Sequence, residues 1–441
     1  MRHTNSGQRC GFLLLLLIFL SGCAGTHIDT MRDVQQELIH GNYQRAEDLI
    51  VHKEKLQQSK NEALYALEYG IVAHLSGKYA ESNRLFEQAV MRMETLKAIS
   101  ITETATEWIL TEKTQPYQGE DFEQVIVHYY MALNYLMLGD LQGALVECRR
   151  VNTLLRELND RYEHTNVYKT DAFSLYLSGI LYDAMGEVND AFIDYRNAYN
   201  AYREDYQEYY GTPVPEQLKH DLLRTASALG FHDVLHEYQQ TFGIRDWPTQ
   251  QAYRQAARLV VIWENGQIPY KVEKAYRQYV ELNDKKDAGC YLKFAFPEFV
   301  TRIPNFSQAI VSVGKTTQTL DLAEDLAQIA IKNLEDRRLR TLAKAAVRNA
   351  LKCATEYEIE KKNQILGWLF GGLTELTEGA DTRQWVLLPA NIQIAHLLVE
   401  PGIKDVELSF SGIGGQFAFH RVFEQIRLEP GKTTFLIHRT F

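Results

Sequence analysis

The chain has 441 residues, about three times the usual domain size of roughly 150, so two or three domains with real cores are expected. Apolar residues make up 45%, charged residues 24% and prolines only 10 positions, which excludes both a disordered polymer and a multi-span membrane protein. Lys and Arg number 47 against 57 Asp and Glu, a formal charge of -10, so no nucleic-acid partner is expected without local basic patches to overcome the repulsion.

Residues 1–10 hold Arg2 and Arg9 and no acid, and Gly11 to Leu20 reads GFLLLLLIFL before the small residues Ser21 and Gly22. This is the pattern of a signal peptide over residues 1–22. Its apolar run of about ten residues is half the roughly twenty needed to cross a bilayer. Leu20-Ser21-Gly22-Cys23 resembles the lipobox of bacterial lipoproteins. The resemblance implies cleavage before Cys23, a diacylglyceryl group on its thiol and a further acyl chain on its new amine. Several chains, at about 0.8 kcal/mol per buried CH₂, anchor stably. Ala24, where that family's retention signal has Asp, implies sorting to the outer membrane with the chain on its periplasmic face, residues 23–30 serving as anchor and linker. Cys148, Cys290 and Cys353 remain, an odd and widely spaced set that is neither a disulfide framework nor a zinc site. No metal and no cofactor is expected.

From residue 31 to 250 segments align on a glycine. Gly77-Lys78-Tyr79 precedes Ser82, Phe86 and Ala89; Gly139-Asp140-Leu141 precedes Ala144, Cys148 and Val151; Gly186-Glu187-Val188 precedes Ala191, Tyr195 and Ala198. Seven residues before each glycine stands a small residue, Gly70, Ala132 or Gly179, on an otherwise apolar helix. Small side chains there let antiparallel helices approach closely, and the glycine makes the turn. The pattern resembles the tetratricopeptide repeat, with Gly41-Asn42-Tyr43 and Leu229-Gly230-Phe231 as degenerate copies. Turn glycines at 41, 77, 139, 186 and 230 are irregularly spaced, so insertions are expected, notably around Ile101 to Phe122.

Such repeats stack into a solenoid with a concave face. The resemblance places on it Leu64, Leu67, Ile71 and His74; Ile126, Tyr129, Leu133 and Leu136; and Phe173, Tyr176, Ile180 and Asp183. That face is apolar enough for a peptide, a partner helix or acyl chains. Large exposed apolar patches are rare, which favours cover by irregular stacking or by the C-terminal domain. Tyr195, Tyr199, Tyr202, Tyr206, Tyr209 and Tyr210 make one aromatic helix face suited to packing.

Residues 251–441 read as an α+β domain. Leu259 to Trp263 and Ile268 to Val272 flank Asn265-Gly266, the signature of a tight hairpin. Gln318 to Lys352 returns to helical spacing, with Arg340, Lys344, Arg348 and Lys352 four apart on one face, a solvated stripe or a contact for anionic headgroups or an acidic partner. Gly367 to Leu373 is an apolar, glycine-bounded loop, too short to span a membrane. From Trp385 onward alternation dominates, with turns at Pro401-Gly402, Gly412 to Gly415 and Pro430-Gly431, which predicts an antiparallel meander. Asp381 and Arg383 alternate with Thr382 before Trp385, placing an ion pair or a ligand-binding pair on one face.

Glu264-Asn265-Gly266 with Pro269 and Lys271, and Ala380-Asp381-Thr382-Arg383 with Trp385 and Leu388-Pro389-Ala390-Asn391-Ile392-Gln393, resemble a family of uncharacterised bacterial tetratricopeptide-repeat lipoproteins. The resemblance implies partnership with other envelope proteins, a second lipoprotein among them, including ones similar to penicillin-binding-protein activators. It carries no activity. Gly314-Lys315-Thr316 and Gly431-Lys432-Thr433 lack the first glycine of a phosphate loop, and His396, His420 and His438 give no ligand spacing. The expected fold is thus mainly α, a TPR-like solenoid followed by a smaller α+β domain. The expected function is a non-enzymatic, membrane-anchored adaptor in envelope assembly or maintenance. An envelope enzyme or a lipid- or small-ligand-binding protein, with its site between the two domains, is the alternative.

Overall fold

The computed structural model describes residues 27–53, 56–102, 115–162, 167–281, 289–338, 379–412, 414 and 417–441. Cys23, the basic stripe from Arg340 to Lys352 and the Gly367 to Leu373 loop lie outside them. The helical region is built from antiparallel pairs: α1 (His27–Ile39) with α2 (Tyr43–Val51), α3 (Glu62–Leu75) with α4 (Tyr79–Thr102), α5 (Asp121–Met137) with α6 (Leu141–Arg161), α7 (Ala172–Ala184) with α8 (Val188–Ala201), and α9 (Glu216–Leu229) with α10 (His232–Phe242). A short helix, α11 (Gln250–Gln255), leads out of the array.

The turn glycines behave as their spacing predicts. Gly77, Gly139 and Gly186 have φ of +75°, +77° and +85°, which a residue with a Cβ adopts only at a cost. The small residues upstream are equally constrained. A Cβ on Gly70 would stand 2.3 Å from the Phe86 ring, and one on Gly179 would stand 2.5 Å from Tyr195. The α3–α4 and α7–α8 pairs are therefore each locked by an aromatic ring lying against bare backbone, the close helix approach of a TPR-like solenoid. Of the tyrosine face, Tyr195, Tyr199, Tyr202, Tyr206 and Tyr210 are buried in the packing. No helix among the described residues is long and apolar enough to cross a membrane.

Among its described residues the C-terminal region has ten strands: β1 (Ala257–Asn265), β2 (Tyr270–Glu281), β3 (Gly289–Val300), β4 (Phe306–Val313), β5 (Thr316–Thr319), β6 (Asp321–Glu324), β7 (Asn391–Val399), β8 (Gly402–Gly412), β9 (Phe417–Leu428) and β10 (Thr433–Thr440). They form a sheet in the order β10-β1-β7-β6, a second in the order β5-β4-β8-β9, and a ribbon β2-β3. Three expectations are corrected here. β1 and β2 do not pair across Asn265-Gly266: β1 lies parallel to β10 and antiparallel to β7. All nine β1 residues are buried, so it needs a partner on each edge, and a two-strand hairpin would leave one edge of backbone unsatisfied. Residues from Gln318 do not start a helix, since β5 and β6 precede a helix beginning at residue 326 and followed to 338. The strands after Trp385 occur where alternation places them, but β7 and β10 join one sheet while β8 and β9 pair in the other.

Alternation along these strands sorts side chains into two cores. Val260, Ile262, Ile392 and Ile394 face the helical array and merge with its interior. Leu259, Val261, Trp263, Ala395 and Leu397 face the second sheet, meeting Ala309, Val311, Val406, Leu408 and Phe410. The molecule is thus three layers, with the β10-β1-β7-β6 sheet clamped between the array and the outer sheet.

Candidate functional site

The concave face of the array is not open. Leu64, Leu67, Ile71, His74, Ile126, Tyr129, Leu133, Leu136, Phe173, Tyr176, Ile180 and Asp183 are all buried. The expectation of a free partner-binding groove is therefore corrected, in the way the apolarity of that face suggested: the C-terminal domain covers it. The cover is the sheet just described together with Trp385, Val386, Leu387 and Leu388, which belong to the same core as the groove residues. Trp385 lies fully buried, its ring 5.6 Å from Phe86 and 5.7 Å from Tyr130.

This segment sits as a peptide would. Its backbone N–H groups cannot join a sheet, so the array must satisfy them. Glu123 Oε1 accepts from the N–H of Trp385 at 2.7 Å, Glu68 Oε1 accepts from the N–H of Val386 at 2.9 Å, and Gln35 donates to the Val386 carbonyl at 3.3 Å. Both carboxylates are fully buried, on helices α5 and α3. Burial raises the Glu123 carboxyl to about 7, and the neighbouring charge of Glu120 adds to the effect against opposition from Lys271. Burial alone would raise Glu120 too, but Arg337 and Lys271 outweigh it and hold that carboxyl at about 2.

Asp381 and Arg383 do come together, as their spacing predicts, at 2.7 Å. Arg383 also donates to the carbonyls of Lys60 at 3.2 Å and Gln115 at 2.9 Å and to Asn61 Oδ1 at 3.1 Å, and lies 5.3 Å over the Tyr117 ring. With its donors committed to the loops before α3 and α5, the pair pins the segment to the array rather than presenting a ligand site.

A second pin lies at the other end. Arg224 pairs with Asp183 and stacks 3.6 Å over the Tyr253 ring, while Asp221 accepts from His396 Nδ1 at 3.3 Å and Tyr253 hydroxyl meets His396 Nε2 at 3.3 Å. The Asp–His–Tyr order resembles a catalytic relay, yet all of these side chains are buried. His438 is half-buried, and that burial, with Arg421 adding to it, lowers its imidazole to about 4. His420 stands exposed. Among the described residues no group of three or more His, Cys, Asp or Glu is placed to hold a metal. Cys148 is a buried free thiol whose ionisation burial opposes.

Among the described residues a cleft of about 460 Å³ opens between α4, α5 and α6. Its apolar lining is Val90, Met91, Met93, Met131 and Leu154, and its charged lining sets Glu87, Glu94 and Glu157 against Lys97 and Arg150. Met91 is 66% exposed. Burial lowers the Lys97 ammonium, with Arg161 adding to the effect.

No protein-family model matches the chain, and no curated protein matches it. Solved structures are similar over about half of it. The apo form of RapI aligns with a TM-score of 0.36 at 11% identity, over 53% of this chain and 58% of its own. This chain thus spans a little over half the length of that protein. A putative kinesin light chain of Podosopora anserina with nearly identical TPR-like repeats aligns with a TM-score of 0.31 at 17% identity, over 48% of this chain and 91% of its own. Aspartyl phosphate phosphatase F of Bacillus subtilis aligns with a TM-score of 0.32 at 15% identity, over 48% and 50%.

Proposed function

We propose that this protein is a lipid-anchored, non-enzymatic adaptor on the periplasmic face of the bacterial outer membrane, tethered through Cys23, that binds another envelope protein. The observation that carries the reading is the methionine-lined cleft between α4, α5 and α6, open while the concave groove is filled. Flexible, polarisable methionines adapt to a partner's side chains, and a cleft between helices takes the apolar face of a further helix. Three acids against two bases in the lining favour a helix with lysine or arginine beside its apolar face. The partner is accordingly an envelope protein with a basic amphipathic helix, a second lipoprotein being the expected class. The filled groove and its pins serve as a rigid mount for this surface.

The test is a photo-crosslinking residue at Met91 in intact envelopes, with a second at exposed Ile403 as control and sequencing of the crosslinked partner peptide. A single partner in near-equal amount, joined through a basic amphipathic segment and lost on Leu154→Glu, supports the adaptor. Identical products from both positions would refute it. Mass spectrometry of the mature amino-terminal peptide tests the anchor separately: Cys23 should carry its acyl groups, and Cys23→Ala should leave the membrane fraction.

A further inference from the structure

A second cavity of about 460 Å³ opens between α1 and the C-terminal domain. Its charged lining is Asp29, Arg32, Lys271 and Arg302. Arg32 pairs with Asp29, and Lys271 pairs with Glu120, which Arg337 also holds. Arg302 differs. One amino group, Nη1, donates to Gln267 Oε1, and the guanidinium lies 5.1 Å over the Tyr270 ring. The other, Nη2, is buried and has no hydrogen-bond partner. Among the described residues no acid makes an ion pair with Arg302. Burial accordingly lowers its guanidinium to about 10, Tyr270 and Glu68 opposing only in part. A half-buried cation that lines a cavity, with no acid among the described residues paired to it, leaves positive charge there for an anionic group to neutralise.

Two observations narrow what that group is. In the loop from β3 to β4 Arg302 is followed by Ile303, 77% exposed, and just before that loop Val300, the last residue of β3, is 37% exposed. These are apolar side chains set around a cation, as at a membrane surface. Ile28, in the cavity wall, follows Cys23 by five residues, so an acylated Cys23 lies within a reach of about 18 Å. A planar guanidinium without an ion-pair partner suits a phosphate oxygen.

We propose that this cavity binds the phosphate of an anionic phospholipid headgroup, the Arg302 guanidinium and Arg32 supplying the positive charge that lines it. The proposal rests on the anchoring reading for the lipid's source, while the phosphate chemistry stands on the cavity alone. Docking the headgroup would fix the orientation of α1, and with it the array, against the bilayer that holds the acyl chains.

The test uses the Cys23→Ala chain, so that acylation plays no part, and follows its melting temperature during titration with dihexanoyl phosphatidylglycerol, dihexanoyl phosphatidylcholine and inorganic phosphate at constant ionic strength. Phosphatidylglycerol should raise Tm at concentrations at least tenfold below those of the other two. Arg302→Gln should weaken that response at least tenfold, the loss of a charge-assisted hydrogen bond in a half-buried site. The variant's own Tm should not fall, because an unpaired half-buried cation has been removed. Should it fail to fold, Arg32→Gln, at an exposed position, must weaken the titration about two- to fivefold. Equal potency of inorganic phosphate, a response to phosphatidylcholine as strong as to phosphatidylglycerol, no response, or a response that both variants retain would each overturn the headgroup proposal. An unacylated Cys23 found in the envelope would refute the anchor without touching this result.

Discussion

Replacing Trp385 by Ala removes the side chain that fills the groove between Phe86 and Tyr130. Trp→Ala at a buried site costs about 3–5 kcal/mol. The indole Nε1 has no hydrogen-bond partner, so truncation also relieves an unsatisfied buried donor, which places the net near the lower limit, about 3 kcal/mol. The shift in Tm depends on what melts with it. Unfolding entropy near 2.1 cal/mol/K per residue gives about 0.8 kcal/mol/K for a unit of roughly 400 residues, so a shift of about 4 °C. If the C-terminal domain of roughly 190 residues melted alone, the same loss would give about 7–8 °C. Because the array and the sheet share one core, the smaller shift is expected, in a single transition seen together by helical circular dichroism at 222 nm and by calorimetry. A calorimetric shift near 7 °C with an unmoved 222 nm transition would refute the claim that this segment holds the two regions together.

The Glu123 carboxyl, raised to about 7 in the folded chain against 4.5 unfolded, binds its proton more tightly when folded. Its contribution is therefore full below pH 4.5 and is lost as pH rises through 7, about 3 kcal/mol in all. Glu120, held at about 2, acts oppositely: its contribution is present above pH 4.5 and lost as pH falls toward 2. Glu123→Gln should flatten the fall of Tm between pH 5 and 8 relative to the parent while leaving the acid limb; equal slopes in the two proteins would show that Glu123 does not titrate there. Gly70→Ala should cost about 1–3 kcal/mol by forcing the Phe86 ring off the helix backbone, measured by urea denaturation. Gly139→Ala, with open space around it but φ of +77°, should cost about 1–2 kcal/mol through its backbone alone, and a loss at Gly70 below about 1 kcal/mol would count against the ring-on-backbone account. Arg383→Ala should cost about 3 kcal/mol and speed proteolysis near Asn61 and Gln115, whereas Arg383→Lys should recover the Asp381 pair but not the three further acceptors. Unchanged proteolysis in Arg383→Ala would mean that the pin is not needed.

Local chemistry was readable residue by residue. The turn glycines at 77, 139 and 186, the small residues at 70, 132 and 179, the buried tyrosines and the Asp381–Arg383 pair all follow from φ, from side-chain volume or from spacing within a few positions, which a single sequence contains. The twelve groove positions are buried together, but by what was a tertiary matter, since it depended on segments some 250 residues further along the chain meeting α3, α5 and α7. Glu68 and Glu123 went unread as backbone clamps because a carboxylate within a helix does not declare which partner it will have. The Asn-Gly dipeptide after β1 specifies a turn, and Gly266 does have φ of +68°. It does not specify that the two strands it joins remain neighbours. Pairing of β1 with β10, more than 160 residues away, was decided by the burial of both faces of β1, which demands a partner on each edge and is satisfied only when the whole sheet is assembled against the array. Short-range sterics and periodicity thus determined the elements and their turns, while the filling of the groove and the strand order were decided by long-range burial of backbone and apolar surface, an energy that no local stretch of sequence carries.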